Sequence, residues 1–388
     1  MQQNFQANIW KYFIFVFTQR RNFLPILPIY FLTIPNAQIQ QIGIYIAVGA
    51  LASFLLEIPS GYFADIFGHK RTLVLSKIFM LLSSLFFIFA TGFWHFVLGS
   101  VCISLGWSFM SGASNAFMYE TFIKLKRERD YARIMSKISA NVSLLCIPFI
   151  ITLPFFTKIN MILPFVIWTI FDLFGLFAVL LLADPKNGVK ISKENQKSVF
   201  SLLKEAVKDK FFSIAIFTGS ISAFMTAMGT FRPTYLESLG MQVVFLGFIM
   251  GGSRFIWFLI GHRIHLVEKF LSMKQHFIVE IFIFVGGLFL LAFFSNVYIV
   301  ALFFILLNGY WLGREQLIDN YFLKDYIKDE NYKATLISVR SQVSAIIKIV
   351  GIASIGFVMN YSYKLGYAVL GGVLLVILSS SYYFIRKH

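Results

Sequence analysis

The chain has 388 residues, 58% of them hydrophobic and 18% aromatic, with a mean hydropathy of +0.75. Soluble domains hold roughly 45–50% apolar residues, so a water-soluble fold is excluded. A formal charge of +16 on so apolar a chain suits anionic lipid headgroups and membrane topogenesis better than nucleic acid. Cys102 and Cys146 lie in apolar segments and the six histidines show no ligand spacing, which argues against a disulfide framework and against a metal-dependent membrane enzyme. No cleavable leader is expected: residues 1–8 are polar, and the apolar run that follows is long and has no small-residue cleavage site.

A hydrocarbon core of about 30 Å asks for roughly 20 apolar residues per helix, and twelve such spans are predicted. The first, 10–33, carries Arg20 and Arg21 near its middle. The second, 39–65, closes on "EIPSG", and the turn "GYFADIFGHKR" leads into the third, 71–91. The fourth, 94–122, has a polar stripe at helical spacing, Ser104, Ser108, Ser111, Asn115 and Tyr119. The fifth and sixth follow at 131–156 and 160–183, the latter with Asp172 at its centre.

Residues 184–210 form the one long hydrophilic stretch, rich in lysine and without arginine, and divide the chain into six-helix halves, 1–183 and 211–388. Within it Phe200, Leu203 and Val207 recur at helical spacing, which fits a helix on the membrane surface and a solvated linker equally. The second half repeats the pattern at 211–236, 241–262, 273–294, 297–323, 334–360 and 364–385. Asn308, Trp311, Glu315 and Asp319 share a face of the tenth span, as do Arg340, Ser344 and Lys348 of the eleventh. Placing both termini in the cytoplasm leaves only Lys158 and Lys364 among the cations of the outer loops, as positive-inside bias requires.

The turn between spans two and three, with Gly61, Ala64, Asp65, Gly68, Lys70 and Leu73, resembles the cytoplasmic signature of major facilitator superfamily transporters, with His69 where an arginine is usual. "SGASNAFMYETF" and "NYKATLISVRS" are similar to a bacterial branch of that family. Departures exist: Cys102 precedes Gly106 where drug antiporters often carry an arginine, and "ISANVSLLCIPFIITLPFF" lacks their glycine-rich pattern. The resemblance implies an all-α fold of twelve transmembrane helices, a monomer in the inner membrane, and a cavity lined by spans one, four, seven and ten. It implies no cofactor and no enzymatic activity.

Ionisable groups at bilayer depth cost at least about 2.5–3.5 kcal/mol each. Arg20, Arg21, Asn115, Tyr119, Trp311 and Arg340 are therefore the expected substrate contacts, the arginines selecting a carboxylate or phosphate. The serine stripe fits close helix packing as well as substrate contact. Glu315, beside Arg314, is the first candidate for proton coupling, with Asp319 and Glu57 as rivals; a static Arg314–Glu315 pair fits equally. Gly61, Asp65, Gly68, Lys70, Arg71 and Glu120 are expected to form a cytoplasmic latch, with Asp65 capping a helix near 331–336 and Lys70 or Arg71 meeting Glu120. Asp172, on a helix that the resemblance places at the periphery, reads as a packing or counter-ion residue. No phosphate-binding loop is present, so the reading is secondary transport driven by protons, exporting a small organic or antimicrobial compound. Uptake of an anionic metabolite is the alternative, ahead of a membrane enzyme or passive channel.

Overall fold

A computed structural model describes residues 5–185, 210–270, 272–325 and 333–387. Among them the chain is helical: α1 Ala7–Thr18, α2 Leu27–Leu32, α3 Ile39–Phe67, α4 His69–Ile88, α5 Phe93–Lys124, α6 Tyr131–Phe156 and α7 Leu163–Leu180. They are followed by α8 Lys210–Ser238, α9 Leu246–Phe270, α10 Met273–Phe293, α11 Val297–Asp325, α12 Lys333–Tyr361 and α13 Tyr363–Lys387. Eleven are long and apolar enough to cross a membrane. The hydrophilic stretch between the halves lies, from 186 to 209, outside the described residues.

The chain groups into two compact units. One holds Met1–Ala37 and Val48–Ile191, the other Gln38–Ala47 and Ser192–His388. In the first unit α4 packs on α5 and α7, and α1 on α7. In the second, α8 packs on α12 and α13, α9 on α11, and α10 on α13. Both units repeat one anchoring bond. Tyr30 of α2 donates to the Phe87 carbonyl near the end of α4 at 3.0 Å, and Tyr235 of α8 donates to the Leu291 carbonyl near the end of α10 at 3.0 Å. Internal repeats of this kind are a feature of secondary transporters.

Gly68 separates α3 from α4 at φ +90°, a conformation that glycine adopts without steric cost. The signature turn is thus a sharp reversal between two long helices. The expected first span departs from a continuous helix. It breaks over residues 19–26, between a 12-residue α1 and a 6-residue α2. Pro25 has no N–H to donate to the carbonyl of Arg21 and its ring crowds that carbonyl. Leu24 donates there instead, at 3.0 Å. Pro28 falls in the first turn of α2, where its missing donor costs nothing.

Candidate functional site

The break in the first helix holds a buried ion cluster. Asp172 of α7, fully buried, accepts from Arg21 Nη1 at 2.6 Å, from Lys77 Nζ of α4 at 2.7 Å and from Ser84 Oγ at 2.9 Å. Lys77 also donates to the Thr18 carbonyl at 2.8 Å. That carbonyl is one that the end of α1 leaves without a helical partner, and a cation suits the negative end of the helix dipole. Arg21 reaches Ser84 Oγ at 3.1 Å and Met80 Sδ at 3.2 Å, and lies 5.6 Å from the Phe23 ring. The cluster requires Gly175: a Cβ there would collide with Thr18 Oγ1 and meet Lys77 Cε at 2.5 Å.

Polar atoms beside the cluster remain open. Gln19 donates to Ser76 Oγ at 2.7 Å and Ser76 passes the bond to the Gly106 carbonyl at 2.6 Å. Gln19 Oε1, Asn22 Nδ2 and Arg21 Nη2 are buried without a partner. Arg20 is exposed, and its side chain has no hydrogen bond or ion pair among the described residues. An unpaired guanidinium halfway along a transmembrane element faces the bundle interior or a water-filled cavity. Adjacent arginines thus have different surroundings: Arg21 is committed to Asp172, and Arg20 is open.

Around α5 the polar stripe divides. Tyr12 bonds Ser114, Asn8 donates to Thr121 Oγ1 at 3.3 Å, and Ser108 lies 3.3 Å from Ser53 Oγ. These ties hold α5 to α1 and α3. Ser111, Asn115 and Tyr119 are exposed, with Trp107 on the same part of the helix 42% exposed.

The second unit has its own buried pair. Arg314 of α11 grips Glu280 of α10 with Nε at 2.5 Å and Nη2 at 3.1 Å, while His276 Nε2 lies 3.2 Å from the same carboxylate. Arg314 thus serves Glu280, a residue that the sequence reading passed over, as it passed over Lys77. Each is a lone charge in an apolar run, "LSKIFM" and "IVEIFI"; the insertion cost of a lone charge was the available signal. Trp311 donates to Ser222 Oγ of α8 at 3.3 Å and is half-buried, as is Arg340. The side chains of Glu315 and Asp319 lie outside the described residues.

At the signature turn Glu120 is met by His69 Nε2 at 3.3 Å, with Lys70 half-buried and Arg71 exposed. The expected Lys70 or Arg71 partner is thus replaced by the histidine. Asp65 is exposed in the last turn of α3, Gly61 faces Gly112 across the α3–α5 contact, and Glu57 is exposed. The stretch expected to meet Asp65 lies, in its backbone or its side chains, outside the described residues.

Two repeated helical units, a discontinuous first helix and ion pairs buried within the spans define the class: a polytopic membrane carrier. The Major Facilitator Superfamily model matches residues 12–351, and the chain belongs to that family. An uncharacterized MFS-type transporter of Bacillus subtilis (strain 168), YxaM, is 25% identical over 221 residues, and the match spans 55% of this chain and 54% of that one, about half of either. Among solved structures, a single-substitution mutant of the nucleoside transporter NupG matches with a TM-score of 0.81 at 13% identity, over 99% of both chains. A bacterial homologue of the human lysosomal transporter Spinster matches at 0.67 and 15%, over 99% of this chain and 95% of that one. At such identities the structures establish the fold alone.

Proposed function

We propose that this protein is a secondary carrier that works by alternating access and exports a small organic anion across the inner membrane, drawn by the membrane potential. The observation that carries the reading is a charge imbalance among the described residues. Arg21, Lys77, Arg232 and Arg314 are buried cations, against Asp172 and Glu280 as buried carboxylates. Lys348 is half-buried midway along α12, and Arg20 is exposed in the helix break. Cations placed at such cost await negative charge, and arginine recognises carboxylate and phosphate with paired donors. Arg20, Asn115 and Tyr119, all in the first unit, are the proposed contacts.

Direction follows from physics. A membrane potential is worth about 2.3 kcal/mol per charge per 100 mV, and an interior-negative cell expels anions. Export of an anion therefore needs little coupling, in keeping with Asp172 and Glu280 both being held by arginine. Proton-coupled uptake of an anionic metabolite is the second reading, favoured by the exposed Glu57 and by Glu315. Reconstituted vesicles under a potassium diffusion potential, without a pH gradient, separate the two. Export predicts saturable movement of labelled carboxylates or phosphate esters toward the positive side, insensitive to protonophore. Movement that requires a pH gradient and collapses with protonophore would establish the second reading instead.

A further inference from the structure

Arg232 differs from the other buried cations. Arg21, Lys77 and Arg314 each contact a carboxylate; Arg232, 5% exposed on α8, has no ion pair among the described residues. Its Nη2 reaches only Met250 Sδ of α9, at 2.6 Å, and its Nη1 is buried without a partner. A thioether is a weak acceptor, so a full positive charge stands desolvated with almost nothing to neutralise it.

Its own helix is open one turn away, and a further polar side chain lies against it. Gly229, one turn earlier and on the same face of α8, has nothing within 4 Å of where a Cβ would stand. Pro233 removes the N–H that would have bonded the Gly229 carbonyl, loosening the helix at that point. Tyr367 of α13 lies against this stretch of α8, its hydroxyl donating to the Met228 carbonyl at 3.2 Å, which leaves the guanidinium as the local charge.

We infer that Arg232 is the core of a binding site for a compact monovalent anion, seated against Nη1 between α8, α9 and α13. The anion is either a free halide or the carboxylate of a solute; only the carboxylate source rests on the transport reading above. The site supplies one charge-assisted donor pair, and its occupation removes the penalty of an uncompensated buried cation.

The test measures thermal unfolding of the purified full-length chain in detergent, at constant ionic strength, with gluconate replaced by chloride or by acetate. A saturable rise of several degrees with chloride, absent in Arg232→Gln and kept in Lys364→Gln, identifies a halide site. The same rise with acetate and none with chloride assigns the site to a carboxylate. If Arg232→Gln fails to fold, crystals of the unaltered chain soaked with bromide or with bromoacetate decide: an anomalous peak beside Nη1 with either supports the site, and its absence with both overturns it. No response of the unaltered chain to either anion also overturns it, whatever the transport experiments yield.

Discussion

Asp172 accepts from three side-chain donors in an apolar interior, so removing its charge leaves Arg21 and Lys77 buried and uncompensated. Breaking a buried pair from one side costs about 3–5 kcal/mol. Asp172→Asn is expected to lower the thermal midpoint in detergent far more than Lys77→Met, which deletes one charge and leaves the Arg21–Asp172 pair intact. The Lys77 change should cost about 1–3 kcal/mol, through the unmet Thr18 carbonyl. Equal midpoints for Asp172→Asn and the unaltered protein would contradict this account. Gly175→Ala tests the same cluster from its rim: the new methyl overlaps Thr18 and Lys77, and overpacking of that kind costs about 1–3 kcal/mol. A variant as stable as the parent would show that the cluster yields easily. At this scale the sequence was only partly legible. Asp172 read as a packing or counter-ion residue, and its partners, which decide between the two, stand 95 and 151 residues away. Sequence adjacency pointed Arg314 toward Glu315, whereas the contact with Glu280 depends on how α10 and α11 pack.

Helices and their limits were far more legible, because a bilayer forces nearly every span to declare itself through about 20 apolar residues. The expected 131–156 and 273–294 became Tyr131–Phe156 and Met273–Phe293. The exception is the first span, where hydropathy alone ran straight through "TQRRNFLPILP". Two prolines and a paired arginine marked the break, and their meaning emerges only with Lys77 seated on the Thr18 carbonyl. Of residues 19–26, only Gln19, Arg20, Leu24 and Ile26 donate a backbone bond to another backbone group. Hydrogen exchange should therefore be faster at Arg21, Asn22 and Phe23 than in α1 or α4. Protection there equal to that of the flanking helices would mean that the first span is continuous. Pro25→Ala, which restores a possible donor to the Arg21 carbonyl, should slow exchange across the break and reduce transport together, since Arg20 and Arg21 would be turned onto new faces.

At the scale of the whole molecule, the fold belongs to a family of carriers, and its buried charges bear on the charge of the solute. The surplus of buried cations over carboxylates argues for an anion, and a carrier must expose its site to the two sides in turn. Counterflow tests both statements together. Vesicles containing the protein are loaded with a high concentration of one unlabelled solute and diluted into a trace of the same compound in labelled form, across matched panels of organic anions, neutral nucleosides and organic cations. The account predicts a transient overshoot of label for at least one carboxylate or phosphate ester, lost in Arg20→Ala, and none for the neutral or cationic compounds. An overshoot confined to neutral or cationic solutes, or label that merely equilibrates for every compound moved, would contradict it.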